Sequence, residues 1–296
     1  MLWPRSTLSR AAFPACLLIA LGACSESPAP PAAAALPAST PETVTTRTDA
    51  TRESSTPVTG LDGGAVRAFL VTQYGDLAQL QGDWPGTPVA DDLGHDAASR
   101  EVCARAAVGT PEAPAELVAV CGVPDNAGHA TTARIDFFSL QMEEDAVASV
   151  ARAHMDGFGS TGDVAEVTVR RFGPRLYGFA VEDGFTGQGI TIGNTSLVLP
   201  DADGFKVAAT LRSSLDNLGA MAGCAERDDC APDADYDLSF QLAIDTHDAS
   251  AAAWPLRVHE QGEACGRRVD RTHQVPFDVA KGAWSVPAAL QREGCE

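Results

Sequence analysis

The sequence predicts an α+β fold, with N-terminal helices packed on a mainly antiparallel β-sheet meander. Between Ala65 and Leu80, apolar residues recur at the three- and four-residue spacing of one helix face. After Gly162, apolar residues recur at every second position, which is typical of half-buried strands. Helices followed by strands is the order of α+β proteins, in which helices cover one side of an antiparallel sheet.

The N-terminal half of the folded region predicts three helices and two strands. The apolar face of the first helix is formed by Val66, Phe69, Leu70, Tyr74, Leu77 and Leu80. A short helix is predicted at Ala97 to Ala107. Another is predicted from Glu143 to His154, because three acidic residues at its start suit the helix dipole. Strands are predicted at Leu117 to Cys121 and at Ala133 to Gln141.

The C-terminal half predicts a run of strands joined by short turns. The predicted strands are Val164 to Phe172, Arg175 to Glu182, Ile190 to Leu199, Phe205 to Leu211, Tyr236 to Thr246, Trp254 to Glu260, Arg267 to Phe277 and Ala283 to Val286. Gly, Pro and Asp mark the connections, and short connections join antiparallel neighbours. These strands are therefore predicted to form a meander, followed by one helical turn at Pro287 to Arg292.

The chain divides into a leader, a tether and one folded region. Residues 1–23 predict a signal peptide, in which a basic start precedes an apolar run. That run is shorter than the roughly 20 residues that a membrane-spanning helix needs. Residues 24–60 are rich in Pro, Ala, Ser and Thr and contain no aromatic residue, so they predict a disordered tether. Residues 61–296 predict a single α+β domain, with an alternative boundary within residues 222–235.

The leader ends in Leu21-Gly22-Ala23-Cys24, which resembles the lipobox of bacterial lipoproteins. That resemblance implies cleavage before Cys24 and attachment of lipid, including palmitate, to Cys24. Several acyl chains on one residue would hold the mature protein firmly on a membrane. The next residue, Ser25, is not Asp, which in such lipoproteins implies the outer membrane, with the domain facing the periplasm. Ordinary secretion with an incidental cysteine is the alternative.

The net charge excludes one class of partner and favours another. The formal net charge is −19, and loss of Arg5 and Arg10 with the leader lowers it to −21. A domain this acidic is repelled by nucleic acid. The charged partners that it favours are cations or a basic envelope protein, although a charge of this kind also serves solubility alone.

Six cysteines follow Cys24, and in an exported protein an even number predicts disulfides. They are Cys103, Cys121, Cys224, Cys230, Cys265 and Cys295. Pairing in sequence order is predicted, since each bond then closes a modest loop. No Cys-x-x-Cys pair is present, which disfavours a zinc site.

An acidic loop is the candidate for a metal site. Asp228, Asp229, Asp233 and Asp235 offer carboxylate oxygens of the kind that Ca²⁺ binds. The loop lacks the central Gly and terminal Glu of an EF-hand, so a solvated loop without cofactor is the alternative and the preferred interpretation.

The remaining motifs do not identify a reaction. Gly157 to Gly162 matches Gly-x-Gly-x-x-Gly, but the dinucleotide motif follows a strand and opens a helix, whereas here a helix-to-strand turn is predicted. No catalytic serine or cysteine motif is recognisable. The sequence therefore favours a lipid-anchored, non-catalytic binding module. The alternative is a periplasmic or cell-wall hydrolase that uses a pair of acidic residues.

Overall fold

A computed structural model describes residues 58–86, 97–124, 128, 131–160, 164–222, 224 and 234–295. The predicted signal peptide, Cys24 and almost all of the predicted tether lie outside these residues. In the described part of the chain, no helix is long and apolar enough to cross a membrane.

The first half of the folded region forms a five-stranded antiparallel sheet, which we call sheet I. Its strands are β1 (Asp83–Pro85), β2 (Ala97–Ala107), β3 (Ala115–Pro124), β4 (Ala133–Glu143) and β5 (Ala146–Phe158). They lie side by side in chain order. Each strand pairs with the next strand of the chain in antiparallel orientation, so sheet I is a meander.

The second half forms a seven-stranded antiparallel sheet, which we call sheet II. Its strands are β6 (Glu166–Arg171), β7 (Tyr177–Gly187), β8 (Ile190–Asp201), β9 (Gly204–Asp216), β10 (Tyr236–Ile244), β11 (Leu256–Ala264) and β12 (Arg267–Val275). They are also ordered as in the chain. A small ladder of β13 (Phe277–Asp278) and β14 (Ala283–Trp284) follows, and then a 3₁₀ turn at Ala288–Leu290. The prediction of strands through this half is confirmed.

The α+β prediction is wrong, because the described chain is mainly antiparallel β-sheet. Of the three predicted N-terminal helices only the first is present, as α1 (Gly63–Tyr74), and α2 (Leu218–Met221) is a single turn. The segment predicted as a helix at Ala97 to Ala107 is strand β2. The segment predicted as a helix from Glu143 to His154 contains a tight turn at Glu144 and then most of strand β5.

Helix α1 begins and ends with recognisable caps. The carboxylate of Asp62 accepts a hydrogen bond from the amide of Ala65, which is the usual role of an N-cap aspartate. At the other end Gly75 has a φ of 87°, a left-handed value that favours glycine, and stops the helix before Leu80. The buried face of α1 packs on Val118, Val120, Phe138 and Leu140 of sheet I.

The two sheets pack face to face and share a core. Phe137 of sheet I lies 4.8 Å from Phe179 of sheet II between ring centroids, and 5.9 Å from Phe205. Val181 and Val198 of sheet II join the same cluster. Sheet I is thus covered by α1 on one side and by sheet II on the other. Sheet II packs on sheet I with one face, and its second face is turned away from sheet I.

Two of the predicted disulfides are present. Cys103 pairs with Cys121, which joins β2 to β3, and Cys265 pairs with Cys295, which ties the C-terminal segment to the β11–β12 turn. Cys224 is also disulfide-bonded. Its predicted partner Cys230 lies outside the described residues.

Candidate functional site

Three rows of residues cross sheet II on the face that is turned away from sheet I, two of them from β6 to β9 and the third from β7 to β9. Thr168, Ala180, Leu197 and Ala209 form the first row, Glu166, Glu182, Thr195 and Leu211 the second, and Gly184, Gly193 and Ser214 the third. The rows change from apolar to acidic to small within one sheet face, since side chains two residues apart on a strand point to the same side. This gradient places an open polar cleft at one end of the sheet.

The cleft has a volume of about 630 Å³ and a floor of glycine. Gly184 and Gly193 lie directly opposite each other on β7 and β8. A Cβ atom on Gly193 would lie 2.5 Å from the Ser214 hydroxyl oxygen and 2.6 Å from that of Ser213. The two hydroxyls therefore occupy the space over the glycine. The volume falls in the range of about 300–1,000 Å³ that is usual for small-ligand sites.

Two carboxylates form one wall of the cleft. Glu166 and Glu182 are directly opposite partners on β6 and β7, and both side chains are exposed. Directly opposed residues have Cβ atoms about 4.5–5.5 Å apart, and like charges in this arrangement repel each other. A cation placed between them would relieve that repulsion, so the local field of the cleft is complementary to a positively charged group.

Asp183 lies at the rim of the cleft and links it to sheet I. Its Oδ2 accepts a hydrogen bond from the Gly159 amide at 3.2 Å, while Oδ1 is buried with no hydrogen bond among the described residues. Burial raises the pKa of Asp183, because it disfavours the charged carboxylate more than the Gly159 amide and the Asn194 side chain favour it. The Ser160 hydroxyl donates to the carbonyl of Gly184 at 3.1 Å.

The glycine motif therefore contributes to the cleft without forming a nucleotide site. Strand β5, and not the predicted helix, precedes Gly159, and strand β6 follows. Residues 161–163 lie outside the described part of the chain. A dinucleotide motif needs a helix after the glycines, and a strand follows here. The prediction of a helix-to-strand turn is wrong, because the segment connects two strands.

Sequence reasoning missed a buried polar network beside α1. The Tyr74 hydroxyl donates to Asp136 Oδ2 at 2.6 Å, and His154 Nδ1 lies 2.7 Å from Asp136 Oδ1. The guanidinium of Arg100 stacks over the Tyr74 ring, 5.3 Å from its centroid. The hydrogen bond to Asp136 raises the pKa of His154. His154 was predicted to be a helix residue, so its direct pairing with Asp136 across β4 and β5 left no signal in the sequence.

A second buried network holds the C-terminal segment. Glu260 is 1% exposed, and His273 Nε2 lies 2.8 Å from its Oε2. The guanidinium of Arg292 donates to the other oxygen of the same carboxylate. His259 instead contacts Asp270 on the neighbouring strand. Both carboxylate oxygens of Asp136 and of Glu260 have partners within these networks, and we interpret the networks as structural.

Of the four residues predicted to bind calcium, only Asp235 lies among the described residues. Asp228, Asp229 and Asp233 are not among the described residues. Asp235 is described, and its backbone carbonyl accepts a hydrogen bond from the amide of Cys265 at 2.8 Å. Among the described residues no group of three or more His, Cys, Asp or Glu side chains could hold a metal ion.

The comparisons with known proteins give no relative of this chain: no family model, curated protein or solved structure matches it.

Proposed function

We propose that the protein is a non-catalytic binding module of the cell envelope, held at the membrane by lipid on Cys24. Its ligand is a positively charged segment of a basic envelope protein, which binds in the cleft flanked by Glu166 and Glu182. The observation that carries the proposal is this acidic cleft with its glycine floor. The lipid anchor and the outer-membrane location rest on the resemblance of Leu21-Gly22-Ala23-Cys24 to a lipobox.

The chemistry of the cleft suits a cation that arrives on a flexible chain. At Gly184 no side chain covers the sheet, so an extended backbone or a long side chain can approach it closely there. Hydroxyls of Thr186, Thr191, Ser213 and Ser214 surround the carboxylates and can accept hydrogen bonds from an ammonium or guanidinium group. The strong net negative charge would also steer a basic protein towards the domain.

A cell-wall hydrolase that uses an acidic pair is the second candidate, and the opposition of Glu166 and Glu182 is what favours it. Such an enzyme needs one carboxyl group whose pKa is raised by burial, so that it can donate a proton. Both glutamates are exposed, and Asp183, which is half-buried, is adjacent to Glu182 in the strand. Asp183 lines the same cleft as Glu182, but its carboxylate accepts a hydrogen bond from the Gly159 amide, which commits it to the protein and not to a substrate. Binding is therefore the better-supported function.

The test is crosslinking of the tagged protein in living cells, followed by mass spectrometry of what it captures. The variant Glu166→Gln/Glu182→Gln should lose at least about fivefold of the captured basic partner, because each neutralised contact weakens a charge-assisted hydrogen bond. The control Glu143→Gln/Glu263→Gln removes the same charge from exposed positions outside the cleft and should capture normally.

Equal capture by the cleft variant and by the control would refute the proposal. Release of soluble fragments from purified cell wall by the wild-type protein, abolished in the Glu182→Gln variant, would establish the hydrolase instead.

A further inference from the structure

A second, smaller cavity lies on the same face of sheet II as the acidic cleft. Its volume is about 170 Å³. Phe172, Ala180, Leu197 and Phe240 are buried in its floor, and Leu242 is half-buried at its side. Its polar lining residues are Arg170, Glu182, Thr195 and Ser213. The cavity is too small for a drug-sized ligand, which usually needs about 300 Å³ or more. It can take one aliphatic or aromatic side chain.

The cavity exists because β9 and β10 pair over only part of their length. Their ladder covers Ser214 to Asp216 opposite Asp237 to Ser239, while β10 continues to Ile244 without a partner on that side. The apolar side chains of the unpaired part, Leu242 and Ile244, therefore border an opening instead of a closed core. An opening with an apolar floor and an apolar wall favours an apolar group from outside.

The small cavity and the acidic cleft are parts of one continuous surface. Glu182 and Ser213 line both of them. Ala180 lies at the floor of the small cavity and Gly184 at the floor of the cleft, on the same strand and the same face. Four residues of a strand span about 13 Å. An extended peptide lying along β7 would therefore reach both cavities with side chains that are four residues apart.

We infer that this surface recognises an extended peptide segment that carries an apolar side chain four residues away from a lysine or arginine. The apolar side chain occupies the small cavity, and the cation lies over the glycine floor beside Glu166 and Glu182. This inference rests on the proposed function and defines its partner more closely. A basic protein is then recognised by the spacing between its apolar and its cationic side chain, and not by its charge alone. The reason is that the small cavity adjoins the carboxylates of the acidic cleft.

The test uses fluorescently labelled five-residue peptides and the purified full-length protein in detergent. The probes are Leu-Thr-Thr-Thr-Lys and its reversed order, each blocked at both ends, and binding is followed by fluorescence anisotropy. In at least one order we expect replacement of Leu by Ser, or of Lys by Gln, to weaken binding about tenfold, as for truncation of a central interface residue. Shortening the spacer by one Thr should weaken binding to a similar extent, because successive strand positions face opposite sides.

Variants of the protein assign each effect to one cavity. With the Leu242→Ser variant, peptides with leucine and with serine should bind with equal affinity. With the Glu182→Gln variant, peptides with lysine and with glutamine should bind with equal affinity. Leu218→Ser and Glu263→Gln are matched controls, because Leu218 is 50% exposed and both residues lie outside the two cavities. Normal peptide binding by the controls would show that the losses do not come from misfolding.

The possible failures of the two proposals are distinguishable. If the serine-substituted peptide binds as tightly as the parent and Glu182→Gln abolishes its binding, the inference is overturned while the acidic cleft remains a cation site. If none of the peptides responds to Glu182→Gln and in-cell capture is equally unaffected, both the inference and the proposed function are wrong.

Discussion

Three buried carboxylates are each held by two donors from distant parts of the chain. Asp136 accepts a hydrogen bond from the Tyr74 hydroxyl and contacts the His154 imidazole. Glu260 contacts His273 and Arg292. Glu116 accepts hydrogen bonds from the Arg105 guanidinium and the Leu61 amide. Burying a carboxylate is costly unless such partners compensate it. None of these sets is visible in the sequence, because their members are far apart along the chain and become neighbours only through strand register.

His154 gives the folded protein a pH dependence with a definite sign. Its hydrogen bond with Asp136 raises the pKa of His154 above the ordinary value of 6.5, so the protonated form is favoured in the folded state. The contribution of protonated His154 to the free energy of unfolding is complete below the pKa of His154 in the unfolded chain. It is lost as the pH rises through the pKa of His154 in the folded protein. His154→Gln should thus lower the free energy of unfolding by about 1–2 kcal/mol near pH 5.5 and by less near pH 9.

Urea denaturation at those two pH values measures the difference. His247 is a matched control, because its side chain is 87% exposed and its contact with Asp245 is screened by solvent. A loss of stability in His154→Gln that is the same at both pH values would show that the imidazole contributes only packing.

The C-terminal segment is attached to sheet II by a disulfide bond. Cys265 lies at the β11–β12 turn, and its bond to Cys295 closes a loop with a sequence separation of 30. Inside that loop Trp284 and Leu290 bury their side chains against sheet II, and the Trp284 indole donates to the carbonyl of Trp254 at 2.9 Å. The segment therefore covers part of the apolar face that would otherwise meet water.

Replacing both cysteines of that bond by serine should lower the free energy of unfolding by about 3–4 kcal/mol, the loop-entropy value for this separation. The loss should be accompanied by faster hydrogen exchange of the C-terminal amides, because that segment becomes free to open locally. Chemical denaturation and exchange mass spectrometry measure the two effects. Unchanged exchange in residues 283–295 would mean that the Glu260–Arg292 contact and apolar packing suffice to hold the segment.

Besides the three-residue strand β1, sequence analysis missed two long strands, and these differ in their residue types from the strands that it found. Phe137 and Phe138 in β4 and the alternating residues after Gly162 have clear strand preferences, and these strands are confirmed. Strands β2 and β5 are rich in alanine, a helix former. They become strands because β3 and β4 offer ladders of hydrogen bonds, and because Ala104 and Ala151 fill the core between the sheets. Tertiary pairing outweighs a local preference of this size.

The candidate site was also only partly predictable. An acidic pair was part of the alternative hydrolase hypothesis, without residues assigned to it. Glu166 and Glu182 are brought together by the register of β6 on β7, which no local pattern encodes. The glycine floor depends on the same register between β7 and β8. A one-residue slip would send all of these side chains to the opposite face, so a site made from cross-strand rows needs the structure to be recognised.

At the scale of the whole molecule, the proposed role requires the domain to be held at a membrane without being part of it. The proposed attachment is the predicted lipid at Cys24. Two or more acyl chains bind a membrane far more stably than one, at about 0.8 kcal/mol per buried CH₂. A binding site on a tethered domain then searches the space near the membrane surface, and the tether sets how far it reaches.

Cys24→Ala should therefore move the protein from the membrane fraction to the soluble periplasmic fraction, with loss of metabolically incorporated palmitate. The thermal unfolding of the folded domain should not change, because residue 24 lies outside it. A Cys16→Ala variant is the control, since Cys16 lies within the apolar run of the predicted leader and would be removed with it. Its membrane attachment should equal that of the wild type. Continued membrane association of Cys24→Ala after a wash at about 0.5 M salt, which screens ionic contacts, would disprove the lipid anchor and with it the membrane-tethered form of the proposed function.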